Sequence, residues 1–185
     1  MKQKNLTELK TEIQIKAKNG IDFILSAAII WMAISYIWTL DYTSYSKSVF
    51  TFITGAILFP LALLLSKILK TKWKIKGNPL QPLGLWINVA QLIYFPFLIF
   101  TLIKYPNYFI MTYAIITGAH LFPYAWFYDE IGYAVCAIII SIGSLLITLS
   151  IDIKNMWIVP IFTSTMLLIL AGWILVRLNN LRKER

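Results

Sequence analysis

FITGAILFPLALLLSKILKTKWKIKGNP, Phe52 to Pro79, passes from an apolar run into a cluster of lysines and then into a turn. No Asp, Glu, Lys or Arg interrupts Phe52 to Ser66, and then Lys67, Lys70, Lys72, Lys74 and Lys76 follow in quick succession. About 20 mostly apolar residues cross a bilayer as a helix, and lysines gather on the cytoplasmic side of such a helix. The stretch therefore reads as a membrane span leaving the hydrocarbon at the cytoplasmic headgroups. Trp73 and Ile75, set between lysines, suit that interfacial layer. Gly77-Asn78-Pro79 signals a turn, and Pro82 suits the first turn of the helix that follows.

Composition extends this reading to the whole chain. Of its 185 residues, 59% are hydrophobic and 14% charged, where a soluble domain carries about 25% charged residues. Six apolar segments are long enough to span: 22–40, 48–68, 83–103, 108–128, 131–150 and 156–177. The fold class expected is an all-α integral membrane protein of six transmembrane helices. Between the spans, 14 lysines and arginines fall on one face and three (Lys47, Lys104 and Lys154) on the other. That asymmetry predicts a multi-pass protein with both termini in the cytoplasm. The net charge of +9 is distributed among connections and tails, so it sets topology and gives no nucleic-acid face.

The expected organisation is a basic amphipathic cytoplasmic tail over 1–21, a six-helix domain over 22–177 and a basic tail over 178–185. In the first tail, Asn5 and Glu8 fit a capping box, and Leu6, Leu9 and Ile13 recur at helical spacing. Two readings stand there: a short helix lying along anionic headgroups, or a solvated tail that only sets orientation. The bilayer, through those headgroups, is the partner the basic segments imply. The oligomeric state is not legible.

TGAILFPLA (Thr54 to Ala62) recurs as TGAHLFPYA (Thr117 to Ala125), with seven of nine positions identical at an offset of 63. That offset carries span one onto span three and span two onto span four, a parallel repeat of a two-helix hairpin. Spans five and six would make a third hairpin without the phrase. Gly55 and Gly118 provide close helix packing, while Pro60 and Pro123 each remove a backbone hydrogen bond and favour a kink. The shared phrase is thus a structural element.

The copies differ along one helix face. Steps of three or four in span four give Tyr113, Thr117, His120, Tyr124 and Tyr128, against Phe50, Thr54, Ile57, Leu61 and Leu65 in span two. His120 lies about 12 Å from the cytoplasmic end of its span, at about 1.5 Å per residue. Gln91 lies at similar depth in span three, and Asn88 shares its face one turn away. A ligand pocket lined by Asn88, Gln91, Tyr113, Thr117, His120 and Tyr124 is one expectation. Its competitor is plain helix–helix hydrogen bonding, worth roughly 0.6 kcal/mol per link.

His120 is the only histidine and Cys136 the only cysteine, so no metal-ligand set and no intramolecular disulfide is expected. No cofactor is implied either, as the chain has no phosphate-binding glycine loop. No carboxylate lies deep in a span, which disfavours a Ser–His–Asp hydrolase and a carboxylate-based proton carrier. Matching positions put Lys67 and Glu130 within reach of each other at the cytoplasmic surface. The leading function is a non-enzymatic binding or passage of a small neutral or amphiphilic molecule around His120. The alternatives are a regulatory or interaction subunit, docking through its basic elements and the Asp129-Glu130 turn, and an intramembrane lipid-modifying enzyme with His120 as general base.

KGNPLQPLG (Lys76 to Gly84) and GAHLFPYAWFY (Gly118 to Tyr128) resemble a family of small bacterial polytopic membrane proteins known as a domain of unknown function. The resemblance covers roughly spans two to five, with GNPL (Gly77 to Leu80) and AHLFPYAW (Ala119 to Trp126) its specific parts. It implies a bacterial plasma-membrane protein and carries no activity, ligand or catalytic residue.

Overall fold

The structure, a computed structural model, describes residues 5–183, with side chains described for 5–180. Lys2, Lys4 and Arg185, counted above for topology, lie outside the described residues, as do the side chains of Arg182 and Lys183. Every regular element among the described residues is helical. Besides three short 3-10 turns, the α-helices in chain order are α1 (Leu6–Ala17), α2 (Ile21–Thr39), α3 (Ser44–Ala56), α4 (Leu58–Leu69), α5 (Gln81–Leu92), α6 (Phe95–Lys104), α7 (Phe109–Phe127), α8 (Ile131–Ser150) and α9 (Ile158–Lys183).

All six apolar segments fold as helix, two of them with a break. Segment two divides into α3 and α4 at Ile57, three residues before Pro60. Segment three divides into α5 and α6 at Ile93-Tyr94, just before Pro96, which opens the new helix. A proline has no N–H to give the carbonyl four residues back, and both breaks sit where that bond would close. Five stretches are long and apolar enough to cross a membrane: Leu6–Thr39, Ser44–Leu69, Gln81–Lys104, Ile131–Ser150 and Ile153–Asn180. α7 meets the length, at 19 residues, but His120, Pro123, Tyr113, Tyr124 and Trp126 lower its apolarity.

α7 carries its polar residues because it lies among other helices. α2, α7, α8 and α9 form the packed centre, and α3–α4 and α5–α6 lie outside it against α2 and α7. In its most apolar stretch Ser44–Leu69 is 17% buried in the protein and Gln81–Lys104 11%, against 39% for Ile131–Ser150. Small polar side chains tie the centre together, as they do where lipid supplies no hydrophobic drive between helices. Ser164 donates to the carbonyl of Ala28 at 2.8 Å and Ser35 to that of Trp157 at 3.1 Å.

α1 forms and closes one end of the bundle. Asn5 caps it, accepting from the Glu8 N–H at 2.8 Å while its own N–H reaches Glu8 Oε2 at 3.0 Å. Lys18 and Asn19, both left-handed, and Gly20 at φ +66° then turn the chain into α2. Gly20 is required twice, because a Cβ there would also lie 2.9 Å from the Tyr128 hydroxyl. The buried Gln14 donates to the Tyr128 carbonyl. From the α4–α5 connection, the Lys72 N–H donates to the Lys16 carbonyl at 2.8 Å, and Asn78 Nδ2 to the Leu9 carbonyl at 2.9 Å. So α1, the 70–80 connection and the α7–α8 turn share one end. At the other, Ser48 reaches the Pro106 carbonyl at 3.4 Å.

One expected surface contact does not form. Glu130 is 3% exposed and accepts from the Trp173 indole at 2.9 Å and the Gly132 N–H at 3.4 Å. It makes no ion pair with Lys67, which is exposed on α4. The chain turns inward at Asp129, whose left-handed backbone (φ 49°) swings the next carboxylate beneath α9.

Candidate functional site

The α7 stripe is set by helical spacing, and each of its members meets a different neighbour. The Tyr113 ring lies against Trp31 of α2 at 5.2 Å and Phe109 at 6.1 Å. Its hydroxyl fills the space over Gly55, where a Cβ would come within 2.6 Å of it. One turn on, Thr117 is buried. His120 meets the Tyr124 ring edge-on at 5.4 Å. Tyr124 then begins an aromatic cluster towards the α1 end, with Tyr128 at 5.7 Å and Tyr133 at 5.8 Å. Tyr133 ends the series by donating to the Asn19 carbonyl.

α5 faces this stripe. Gly84 lets it approach, since a Cβ there would sit 3.0 Å from the Phe127 ring. The Gly84 carbonyl accepts from Asn88 Nδ2 at 3.0 Å and from the Tyr124 hydroxyl at 3.5 Å. The two stretches that carry the family resemblance, 76–84 and 118–128, therefore touch in space.

Between these elements is a cavity of about 280 Å³. All six residues singled out from the sequence, Asn88, Gln91, Tyr113, Thr117, His120 and Tyr124, line it. Its other walls are mostly apolar and come from α1 (Ile13, Ala17), α2 (Ile24, Ala27, Trp31), α4 (Leu58, Phe59), α5 (Leu85) and α9 (Leu167). α4 leans on α2 and α5 on α7, and the cavity reaches the seam between α4 and α5. There Phe59 is 55% and Leu85 60% exposed.

The polar residues of the cavity do little for one another. Tyr124 makes the one hydrogen bond from this set that joins two helices, while Asn88 bonds back within α5. Among the described residues, neither His120 nitrogen, the Thr117 hydroxyl, the Gln91 amide nor the Tyr113 hydroxyl has a hydrogen-bond partner. Helix-to-helix hydrogen bonding is therefore not what these four side chains do. Their unpaired polar atoms line a shared wall and give the cavity its chemical character.

Asp22 is the functional group that the sequence hides. It stands in the first turn of α2, where a carboxylate at a span's end is unremarkable, yet it is 1% exposed and lines the cavity. Its Oδ2 accepts from the Thr71 hydroxyl and the Trp73 indole N–H, each at 2.6 Å. The basic 70–76 stretch folds back over the α1 end and buries it. Lys72 lines the cavity as well. The cavity thus has a neutral polar wall on α5 and α7, an apolar body and a carboxylate near one end.

Residues 6–177 match the sequence profile of a family of unknown function, DUF7010. The chain belongs to that family. No curated protein and no solved structure matches it. The DUF7010 match spans α1 through most of α9, so it takes in the end-closing helix, the Asn78 contact to α1 and every cavity wall. Within the DUF7010 chain, Asn78 of GNPL serves a definite purpose. Its side chain joins the Leu9 carbonyl to the Leu80 N–H, at 2.9 and 3.0 Å, and so pins the connection beneath α1.

Proposed function

We propose that this chain is a six-span membrane protein with both termini in the cytoplasm, and that it binds or passes a small amphiphilic molecule through the cavity around His120. One observation carries the reading: four polar side chains without hydrogen-bond partners among the described residues share the wall of one cavity whose body is mainly apolar. Ligand sites combine a mainly apolar lining with a few placed polar groups, and they run from about 300 to 1,000 Å³. At about 280 Å³ this cavity falls just below that range, which suits a small ligand. The half-exposed Phe59 and Leu85 at the α4–α5 seam suit entry from the bilayer.

The membrane reading of α7 draws on its surroundings. A helix enclosed by others tolerates His120 and its tyrosines at membrane depth, where lipid-facing polar groups are costly. Orientation draws on the 14-to-3 division of basic residues, and a bacterial plasma membrane on the resemblance given above. The rival readings have less support. Burial of Glu130 removes half of the acidic turn a docking subunit would present. A general base at His120 has no carboxylate hydrogen-bonded to it.

Native mass spectrometry from lipid nanodiscs tests the reading. Wild-type protein should carry a bound small molecule or lipid that Thr117→Val and His120→Ala release, with the melting temperature of both variants little changed. Repeated recovery of the bare chain would overturn it, as would variants that retain the same adduct.

A further inference from the structure

Asp22 gives the cavity a directional chemistry. The carboxylate is buried, its Oδ2 is held by Thr71 and Trp73, and its Oδ1 takes no hydrogen bond among the described residues. Among the described residues no lysine or arginine pairs with it. A buried carboxylate without a cation is strongly disfavoured, so a positive group entering the cavity would meet a site already prepared for it.

The surroundings select the kind of cation. Phe23 stacks on Trp73 at 4.8 Å and meets Phe59 edge-on at 5.9 Å, and all three rings line the cavity with Asp22. Aromatic faces attract cations, with alkylammonium groups the characteristic ligands. A small metal ion would need several oxygen ligands, and this wall offers one carboxylate among rings. An anionic head group would meet the repulsion of Asp22.

We propose that the cavity prefers organic cations, with an alkylammonium head seated against Asp22 and the rings of Phe23 and Trp73, and the apolar body extending towards His120. The inference rests on the cavity being a ligand site and adds the charge of the ligand. Lys72 opposes it from the same wall, but its side chain is exposed and forms no ion pair. Removing that charge should help the cation.

The test uses full-length protein in maltoside detergent, with hexyltrimethylammonium and hexanol as probes and equilibrium dialysis as the readout. Wild type should bind the ammonium more tightly than the alcohol. Asp22→Asn keeps an oxygen for Thr71 and Trp73 but loses the charge. It should weaken ammonium binding about tenfold and leave hexanol binding within about twofold. Lys72→Gln should tighten the ammonium alone. If wild type binds hexanol and gains nothing from the ammonium, the preference for cations is wrong and the cavity reading stands. If it binds neither probe, both fall. Should Asp22→Asn not fold, Lys72→Gln decides, and unchanged ammonium affinity in that variant overturns the proposal.

Discussion

The two copies of TGAxLFPxA fold differently. In the first, α3 stops at Ala56 and α4 resumes at Leu58, and the Ile57 N–H turns back to the Thr54 carbonyl at 3.1 Å. In the second, α7 continues through Pro123 without a break. Each proline removes one helical hydrogen bond, so the proline alone does not decide the outcome. The glycine's neighbour differs between the copies. A Cβ at Gly118 would lie 3.0 Å from the Ala137 carbonyl and 2.5 Å from the Ser141 hydroxyl, so α8 is packed directly on that turn. At Gly55 the neighbour is the tip of the Tyr113 side chain. The second copy is held by a rigid helix, and the first accommodates a side chain at the edge of the bundle and bends.

The strongest test of this contrast is to fill the two glycines. Gly118→Val drives a branched side chain into helix backbone that has nowhere to go, at a cost of about 3 kcal/mol. Gly55→Val displaces only the Tyr113 tip and should cost about 1 kcal/mol. Thermal unfolding in detergent compares them directly. Equal losses would mean that the difference in neighbours does not matter.

Next in size is the exchange of the ionisable position, one of the two at which the phrases differ. His120→Ile gives the second copy the side chain of the first. Since His120 hydrogen-bonds to no described residue, stability should change by no more than about 0.5 kcal/mol. Retention of the bound molecule should fall about tenfold, equivalent to about 1.4 kcal/mol. The reverse change, Ile57→His, should do nothing for retention, because Ile57 is 51% exposed on the outer side of the break. A large loss of stability in His120→Ile with retention intact would return His120 to a packing role.

These contrasts mark what is legible in the chain. The apolar runs locate the helical stretches, closely at 131–150 (Ile131–Ser150) and 108–128 (Phe109–Phe127), but they miss the breaks inside 48–68 and 83–103 and the extension of 156–177 to Ile158–Lys183. The polar stripe follows from helical spacing, and the grouping of α5 with α7 follows from equal depth along antiparallel neighbours. Asp22 was out of reach for a physical reason. A carboxylate in a terminal turn is ordinarily hydrated, and what buries it is a contact with Thr71 and Trp73, some 50 residues away. The same holds for α1, whose docking depends on Gln14 and Lys16 meeting the distant backbone of Tyr128 and Lys72 and on the Leu9 carbonyl meeting the Asn78 side chain. The inward turn of Glu130 depends on the left-handed Asp129. Local pattern gives elements, whereas closure of the cavity is a property of long-range contacts.

The prolines give a smaller effect in the same sense. Pro123→Ala restores an N–H where α7 is already continuous, so the Ala119 carbonyl regains its partner for about 1 kcal/mol of stability. Pro60→Ala should gain less than about half of that, because the break at Ile57 must close first and Leu58 and Phe59 would shift on the cavity wall. Paired melting curves check the order. A larger gain at Pro60 would mean that the bend is strained rather than accommodated.

The smallest effect concerns what sits at the end of each copy. Trp126 follows the second phrase, and Leu63 holds the matching place after the first. The Lys10 ammonium of α1 lies 3.9 Å from the Trp126 ring centre, so α1 docks on the end of the second copy by a contact the first lacks. An exposed cation–π pair contributes about 0.5–1 kcal/mol. Lys10→Gln should therefore lower stability by about 0.5 kcal/mol, while Lys10→Arg should preserve it, since a guanidinium stacks on indole at least as well. Hydrogen exchange gives the decisive readout, because a change of this size is marginal in a melting curve. Amides of α1 should exchange faster in Lys10→Gln than in Lys10→Arg, with α8 and α9 unaffected. Equal protection in both variants would leave α1 held by Gln14, Lys16 and Asn78 alone, and the second copy would then act on α1 only through the Tyr128 carbonyl.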